Sequence, residues 1–234
     1  MLVLYTLTIF VSSALLFMVQ PMFAKMVLPL LGGTPQVWNT CMVFFQAALL
    51  LGYVYTHLSI HYLGVRRQVW LQIALLAIPF AVLPIALDPD LLPPAECYPA
   101  IWLLGVLTIT LGLPFAVVAS YGPMLQKWFS GLSHRHAGDP YFLYAASNAG
   151  SMGALLAYPF FLEPLLTLEL QSRLWTSGYV LLLILTIACV YYLVKQGAGN
   201  GEDADVSIGD SEGPIGLTRR LRWIALAFVP SSMM

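Results

Sequence analysis

Charged side chains are scarce in this sequence: Asp, Glu, Lys and Arg make up 9% of its 234 residues, and hydrophobic residues make up 59%. A soluble domain carries about 25% charged residues. A water-facing surface built from so few charges would leave large apolar areas uncovered. The composition therefore excludes an ordinary soluble fold and predicts a chain whose main partner is the lipid bilayer.

Other features that the sequence lacks exclude several classes of function. The net charge of −1 gives no electrostatic attraction for nucleic acid, and no basic stripe is present, so no nucleic-acid partner is expected. Cys41, Cys97 and Cys189 form no metal-type spacing, and His57 and His61 lie on one helical face without a third ligand. No nucleophile elbow, Walker loop or paired catalytic carboxylates occur. We therefore assign no catalytic residue, no metal and no cofactor.

Long apolar runs are what the sequence does contain. A membrane-crossing helix needs roughly 20 mostly apolar residues. Six runs meet this requirement over residues 1–195, and a truncated seventh occupies 221–234. We expect an all-α, polytopic transmembrane helix bundle that continues in a longer parent chain. The six predicted spans are about Leu2–Met22 (with an apolar extension to Leu31), Val37–Tyr62, Gln68–Leu87, Pro99–Leu125, Pro140–Leu162 and Ser172–Val194.

The segment 196–220 differs from the rest. It is rich in Gly, Asp and Glu and nearly free of bulky apolar residues, so it cannot bury enough surface to offset chain entropy. Its Gly197, Gly199 and Gly201 resemble a nucleotide-binding loop only superficially, because that loop needs a preceding strand and a following helix. We predict a disordered, acidic, cytoplasmic linker.

Basic residues predict the orientation, because short cytoplasmic loops carry an excess of Lys and Arg. If the six spans alternate, eight basic residues fall on one side and only Lys25 and Arg173 on the other. The N-terminus is then cytoplasmic, the Asp88–Cys97 loop is external, and the protein is a multi-pass component of a cell inner (plasma) membrane. The eight are Arg66, Arg67, Lys127, Arg135, Lys195, Arg219, Arg220 and Arg222.

A short internal repeat links the first and fourth predicted spans. Both end on the pattern Pro-Met-x-x-Lys, beginning at Pro21 and at Pro123. These spans run in opposite directions, as an inverted three-plus-three repeat requires. A Phe-Val pair shortly before a Ser-Ser pair occurs in the first span, at residues 10–13, and again in the seventh, at residues 228–232. This similarity indicates that the seventh span repeats the first. Six spans, a linker and a second set are the plan of a major facilitator transporter, of which this would be the N-terminal half.

The stretch from Ser12 to Gln46 is the first place to seek function. It is apolar but interrupted by Gln20-Pro21, Lys25, Pro29 and Gly32-Gly33-Thr34-Pro35, and irregular backbone at membrane depth is tolerated only beside protein or a water-filled cavity. We expect the chain to break at Gln20–Pro21. Lys25 either anchors at the interface or faces a protected cavity and holds an anionic group.

Amides inside spans are the next candidates, because polar groups in lipid are costly. Gln20 either satisfies the carbonyls that Pro21 leaves free or contacts a ligand, and Asn148 either hydrogen-bonds to a neighbouring helix or contacts a substrate. The candidate substrate-binding residues are Gln20, Lys25, Asn39, Gln46 and Asn148. In the fifth span, Ala146, Gly150 and Ala154 recur at four-residue spacing, which predicts close helix packing.

The runs LLFMVQPMFAKMVLPLLGGTPQVWNTCMVFFQ, LPFAVVASYGPMLQKWF (Leu113–Phe129), PYFLYAASNAGSMGALLAYPFFLEP (Pro140–Pro164) and LAFVPSSMM (Leu226–Met234) resemble the membrane half of the bacterial fused major facilitator/spermidine-synthase-like proteins. The resemblance implies a membrane location and a link to polyamine chemistry, but it places no catalytic residue on this chain. Three functions stay open: a transporter-like domain for a small polar or polyamine-type solute, a non-transporting anchor for an aminopropyltransferase-like domain absent from this chain, and, ranked last, a structural membrane protein with no ligand.

Overall fold

The structure is a computed structural model that describes residues 1–87, 98–132, 141–195 and Arg222. Over these residues every element is helical, as the sequence predicts. The chain divides into two compact units, Met1–Asn200 and Gly201–Met234, and the helices below belong to the first. They are α1 (Leu2–Leu31), α2 (Pro35–Ala77), α3 (Pro99–Leu107), α4 (Leu113–Ala119), α5 (Tyr121–Ser130), α6 (Tyr141–Ala157), α7 (Glu163–Leu165) and α8 (Leu168–Lys195).

Short turns extend these helices. A 3₁₀ turn, Ile78–Ala81, follows α2, and π-helical turns at Thr108–Gly112 and Tyr158–Leu162 join α3 to α4 and α6 to α7. The predicted external loop Asp88–Cys97, the linker 196–220 and, apart from Arg222, the seventh span 221–234 lie outside the described residues.

Helix α1 continues through Pro21 and Pro29, and Gly32 ends it with a φ of 73°. The predicted break at Gln20–Pro21 is therefore wrong, and the irregular backbone is confined to Gly32–Thr34. A proline removes one N–H from a helix, but unwinding in lipid would deprive many more peptide groups of a partner. The helix is therefore the less costly conformation.

Helix α2 reverses direction at Gly64, whose φ of 68° and ψ of 164° are not helical. The Tyr55 hydroxyl donates a 3.0 Å hydrogen bond to Gln72 Oε1, 17 residues further on. A straight helix would separate residues at that spacing by about 25 Å. The two arms of α2 therefore lie side by side, and the turn falls between the predicted second and third spans.

Among the described residues, four helices are long and apolar enough to cross a membrane: Leu2–Leu31, Pro35–Ala81, Pro99–Ser130 and Leu168–Lys195. These helices identify the chain as an integral membrane protein. The segment containing α6 is not one of the four, because its glycines, serines and Asn148 lower its hydropathy. The count of six spans stays a prediction.

Helix α1 lies at the centre of the bundle and contacts α2, α4, α5, α6 and α8. Its contact with α8 includes a hydrogen bond of 2.9 Å from Trp175 Nε1 to the Leu15 carbonyl, which gives the buried indole N–H a partner. Six of its hydrophobic side chains are wholly shielded: Tyr5, Ile9, Val19, Met22, Phe23 and Val27.

Helices α1 and α6 run in the same direction. Ser13 of α1 pairs with Ser147 of α6, and Lys25, twelve residues later in α1, pairs with Glu163, which comes after α6 in the sequence. The backbones of the two helices approach closely at Gly150, where an added Cβ would lie 2.4 Å from the Phe10 carbonyl oxygen. Ala146, Gly150 and Ala154, the residues with the small-residue spacing, are all buried on α6.

A second close approach joins α2 to α4. A Cβ added to Gly52 would lie 2.7 Å from the Ala116 carbonyl oxygen. Thr56, one turn further along α2, donates a 3.2 Å hydrogen bond to the Ser120 carbonyl. Close backbone contact of this kind is the usual way in which helices associate in lipid, where no hydrophobic force drives them together.

Two fully buried glutamines, Gln68 and Gln72, tie the second arm of α2 to the bundle. Gln68 accepts a 2.9 Å hydrogen bond from Trp128 Nε1 and donates one of 2.9 Å to Ser59. Gln72 Nε2 donates to Ser120 Oγ at 3.2 Å. Each amide is therefore satisfied inside the protein, as a low-dielectric interior requires.

Replacing Gly150 with alanine should lower the melting temperature of the detergent-solubilised protein by several degrees. The new methyl group must push α6 away from the Phe10 carbonyl, and overpacking of this kind costs about 1–3 kcal/mol. The matched control is Gly153→Ala on the same helix, where an added Cβ meets nothing within 4 Å. Equal melting temperatures for the two variants would contradict the close approach.

A double-mutant cycle tests the Gln68–Trp128 hydrogen bond. The variants Gln68→Leu and Trp128→Phe should each destabilise the bundle: the first removes the hydrogen bonds to Trp128 and Ser59, and the second leaves the Gln68 Oε1 buried without its donor. The double variant should cost less than the sum of the two, with a coupling of about 0.5–2 kcal/mol measured by denaturant titration. Additive effects would mean that the two side chains do not interact.

Candidate functional site

Two cavities border α1 within the Ser12–Gln46 stretch, where the sequence analysis places the candidate site. Ser13, Phe17, Gln20, Ala24 and Leu28 recur every three or four residues, which places them on one side of the helix. The first three line one cavity, and the last two line a second. The two cavities follow one another along α1.

The first cavity, which we call the central cavity, has a volume of about 290 Å³. Helices α1, α2, α4, α5 and α6 each contribute to its wall. Its polar side chains are Ser12, Ser13, Gln20, Gln46, Tyr53 and Ser147; the apolar ones include Leu16, Phe17, Met42, Phe45, Leu49, Phe115 and Val118.

The central cavity lies at mid-depth in the spans. Gln20 is 11 residues before the end of α1 at Leu31, and Gln46 is 11 residues after the start of α2 at Pro35. Eleven residues of helix rise about 16 Å, and the hydrocarbon core of a bilayer is about 30 Å thick. Both amides are therefore near the midplane.

The polar groups of the central cavity are only partly satisfied by the protein. Ser13 and Ser147 share a 2.8 Å hydrogen bond, and Gln20 Nε2 reaches the Leu16 carbonyl only at 3.5 Å. Pro21 has no N–H to give to the Phe17 carbonyl.

Among these polar groups, Gln46 is the clearest case of an amide that the described residues do not satisfy. Its side chain is exposed to the cavity, and it makes no hydrogen bond within the described ranges. An amide at the midplane without a protein partner requires water or a ligand, because lipid offers it none.

The second cavity, the vestibule, has a volume of about 370 Å³ and adjoins the first, since Gln20 lines one and Pro21 lines the other. It contains an ion pair between Lys25 of α1 and Glu163, the first residue of α7. Its remaining wall is Pro21, Ala24, Leu28, Trp38, Leu155, Tyr158 and Pro159.

The structure thus places Gln20 and Gln46 in the wall of the central cavity and Lys25 in the wall of the vestibule. Asn39 lines a separate cavity of about 490 Å³ between α2 and α3. Asn148 is exposed on α6 and lines neither the central cavity nor the vestibule. Whether any of the five binds a substrate stays a prediction.

The sequence analysis missed one residue of the cavity walls, Tyr53, and one pairing, that of Glu163 with Lys25. Tyr53 follows Gln46 by seven residues, which is two helical turns, so helical spacing could have found it. The pairing of Glu163 with Lys25 spans 138 residues and has no local signal. Within ranges 1–87, 98–132 and 141–195, no group of three or more His, Cys, Asp or Glu side chains is placed to hold a metal ion.

Comparison of the chain with protein-family models, with curated proteins and with solved structures finds no match in any of the three.

Proposed function

We propose that this membrane protein is a transporter-like domain that moves a small polar solute through the central cavity. The observation that carries the proposal is the set of incompletely bonded polar groups at mid-depth, above all Gln46. A purely structural bundle would satisfy such groups internally, as this one does at Gln68 and Gln72. Solute sites of transporters lie near the bilayer midplane.

An inverted repeat of spans one to three and four to six is part of the proposal, and a matched pair of contacts supports it. Gly150 of the fifth span lies against the Phe10 carbonyl of the first, and Gly52 of the second lies against the Ala116 carbonyl of the fourth. A twofold axis in the membrane plane that exchanges the two triplets also exchanges these contacts. The Pro-Met-x-x-Lys pattern occurs in the first and fourth spans, which the same axis would exchange.

The lining favours an uncharged or charge-balanced solute. Among the described residues, none that borders the central cavity carries a charge, and Lys25 neutralises Glu163, the carboxylate in the vestibule wall. A polyamine, the solute class implied by the resemblance to spermidine-synthase-like fusions, would need additional carboxylates. The predicted location is a bacterial inner membrane with a cytoplasmic N-terminus.

A second function, a non-transporting anchor for a cytoplasmic aminopropyltransferase-like domain, is favoured by one observation. The part of the chain that the structure describes places no charged side chain in the central cavity wall, whereas proton and ion pathways are usually marked by intramembrane ionisable residues. An anchor has no use for a cavity that water enters, so water access distinguishes the two functions.

Water access is tested by cysteine substitution in a Cys97→Ser background, since Cys41 and Cys189 are buried. Gln46→Cys in native membranes should react with a charged, membrane-impermeant methanethiosulfonate, because only a hydrated thiol ionises. Leu51→Cys is the matched control: it is 63% exposed on the opposite face of α2 and should not react, since that face meets lipid. Equal rates at the two positions would contradict a hydrated cavity.

Solute movement is tested by uptake of labelled small polar compounds into cells expressing the protein. The variant Gln46→Leu should lower uptake at least tenfold while leaving the melting temperature unchanged, because the amide has no protein partner to lose. Gln126→Leu, which removes a half-buried amide outside both cavities, should transport normally. Uptake by Gln46→Leu at the wild-type rate would remove the central cavity from the transport path.

A further inference from the structure

The Lys25–Glu163 ion pair is unusual in where it lies. A second ion pair, Arg173 with Glu169, joins residues four apart on α8 and is largely exposed. Lys25 and Glu163 instead join two different helices across the vestibule, and their side chains are 38% and 40% exposed. Both charged groups are therefore paired with each other and still open to the vestibule.

Charge balance limits what this site can accept. A simple cation that paired with Glu163 would leave the Lys25 ammonium without its partner, and a simple anion that paired with Lys25 would leave the Glu163 carboxylate without its partner. Uncompensated charge in a low-dielectric setting is strongly unfavourable. A molecule that carries one ammonium and one carboxylate group compensates both, so the exchange leaves no lone charge.

The walls of the vestibule add a second requirement. Leu28, Trp38 and Leu155 present apolar surface next to the charged pair. The volume of about 370 Å³ is near the lower end of the range for small-molecule sites, roughly 300–1,000 Å³. A small solute with one apolar substituent fits this combination.

We propose that the vestibule binds a small zwitterion with an apolar side group, such as an α-amino acid. Its ammonium group pairs with the Glu163 carboxylate, its carboxylate pairs with the Lys25 ammonium, and its apolar group contacts Trp38 and Leu155. The internal ion pair occupies the site when the solute is absent. This inference rests on the proposed transport function and names the class of solute.

The test measures binding of labelled leucine and phenylalanine to the full chain in lipid nanodiscs. Each amino acid is compared with its methyl ester, which is a cation, and with its N-acetyl derivative, which is an anion. The zwitterion should bind at least tenfold more tightly than either derivative. Equal binding of the three forms, or binding of none, overturns the inference.

Variants of the ion pair distinguish recognition of the solute from a role that only stabilises the fold. Glu163→Gln should lose the preference for the zwitterion over the N-acetyl form, and Lys25→Met should lose the preference over the methyl ester. The exchanged pair Lys25→Glu with Glu163→Lys should restore zwitterion binding, since both partners are again present. Glu169→Gln, which removes a carboxylate of the exposed α8 pair, should bind as wild type.

The outcomes also separate this inference from the transport proposal. If the single variants change only the melting temperature and not the ratio of affinities, the pair only stabilises the fold and the inference fails. Transport still stands in that case if Gln46→Cys reacts from water and polar solutes are taken up. If Gln46→Cys does not react and no solute crosses, the transport proposal fails irrespective of the binding result.

Discussion

Lipid offers no hydrogen bonds, and this constraint governs the structure. Helix α1 keeps its helical form through two prolines because unwinding would expose peptide groups to hydrocarbon. Trp175 donates to a backbone carbonyl of α1, and Gln68 and Gln72 find partners across the bundle. Where the same rule is not met by protein atoms, at Gln46, water or a solute must meet it. The candidate site is thus defined by an exception to the rule that Trp175, Gln68 and Gln72 obey. A second exception among the described residues, the buried Tyr5 hydroxyl, lies outside both cavities.

Close helix packing borders the candidate site. Gly150 and Gly52 let α6 approach α1 and α4 approach α2 until backbone touches backbone. The central cavity lies beside the contact between α1 and α6, because Ser13 and Ser147, which share a hydrogen bond across that contact, both line its wall.

Composition and run length were enough to predict an all-helical membrane protein, because a chain with 59% hydrophobic residues and apolar runs near 20 residues matches the length and polarity that a bilayer demands of a helix. The sequence also named Gln20 and Gln46, since amides in spans are rare. It did not predict that these two share a cavity from which Asn39 and Asn148 are absent, because helix rotation decides which amide faces which neighbour. The predicted break at Gln20–Pro21 is wrong, because a proline that would break a helix in water costs less in lipid than unwinding the helix would. The Lys25–Glu163 pair depends on tertiary contacts that no local pattern encodes.

The central claim is that one face of α2 borders water at the middle of the membrane. Spin labels placed singly at positions 45–54 in the reconstituted protein, and probed with a polar nickel complex and with oxygen, measure this directly. The account predicts that accessibility to the nickel complex oscillates with the helical period, is highest at 46, 49 and 53 and is lowest at 51, where oxygen accessibility peaks. Oxygen accessibility that is uniformly high with no nickel accessibility at 46 would show that lipid covers this face, and would contradict the account.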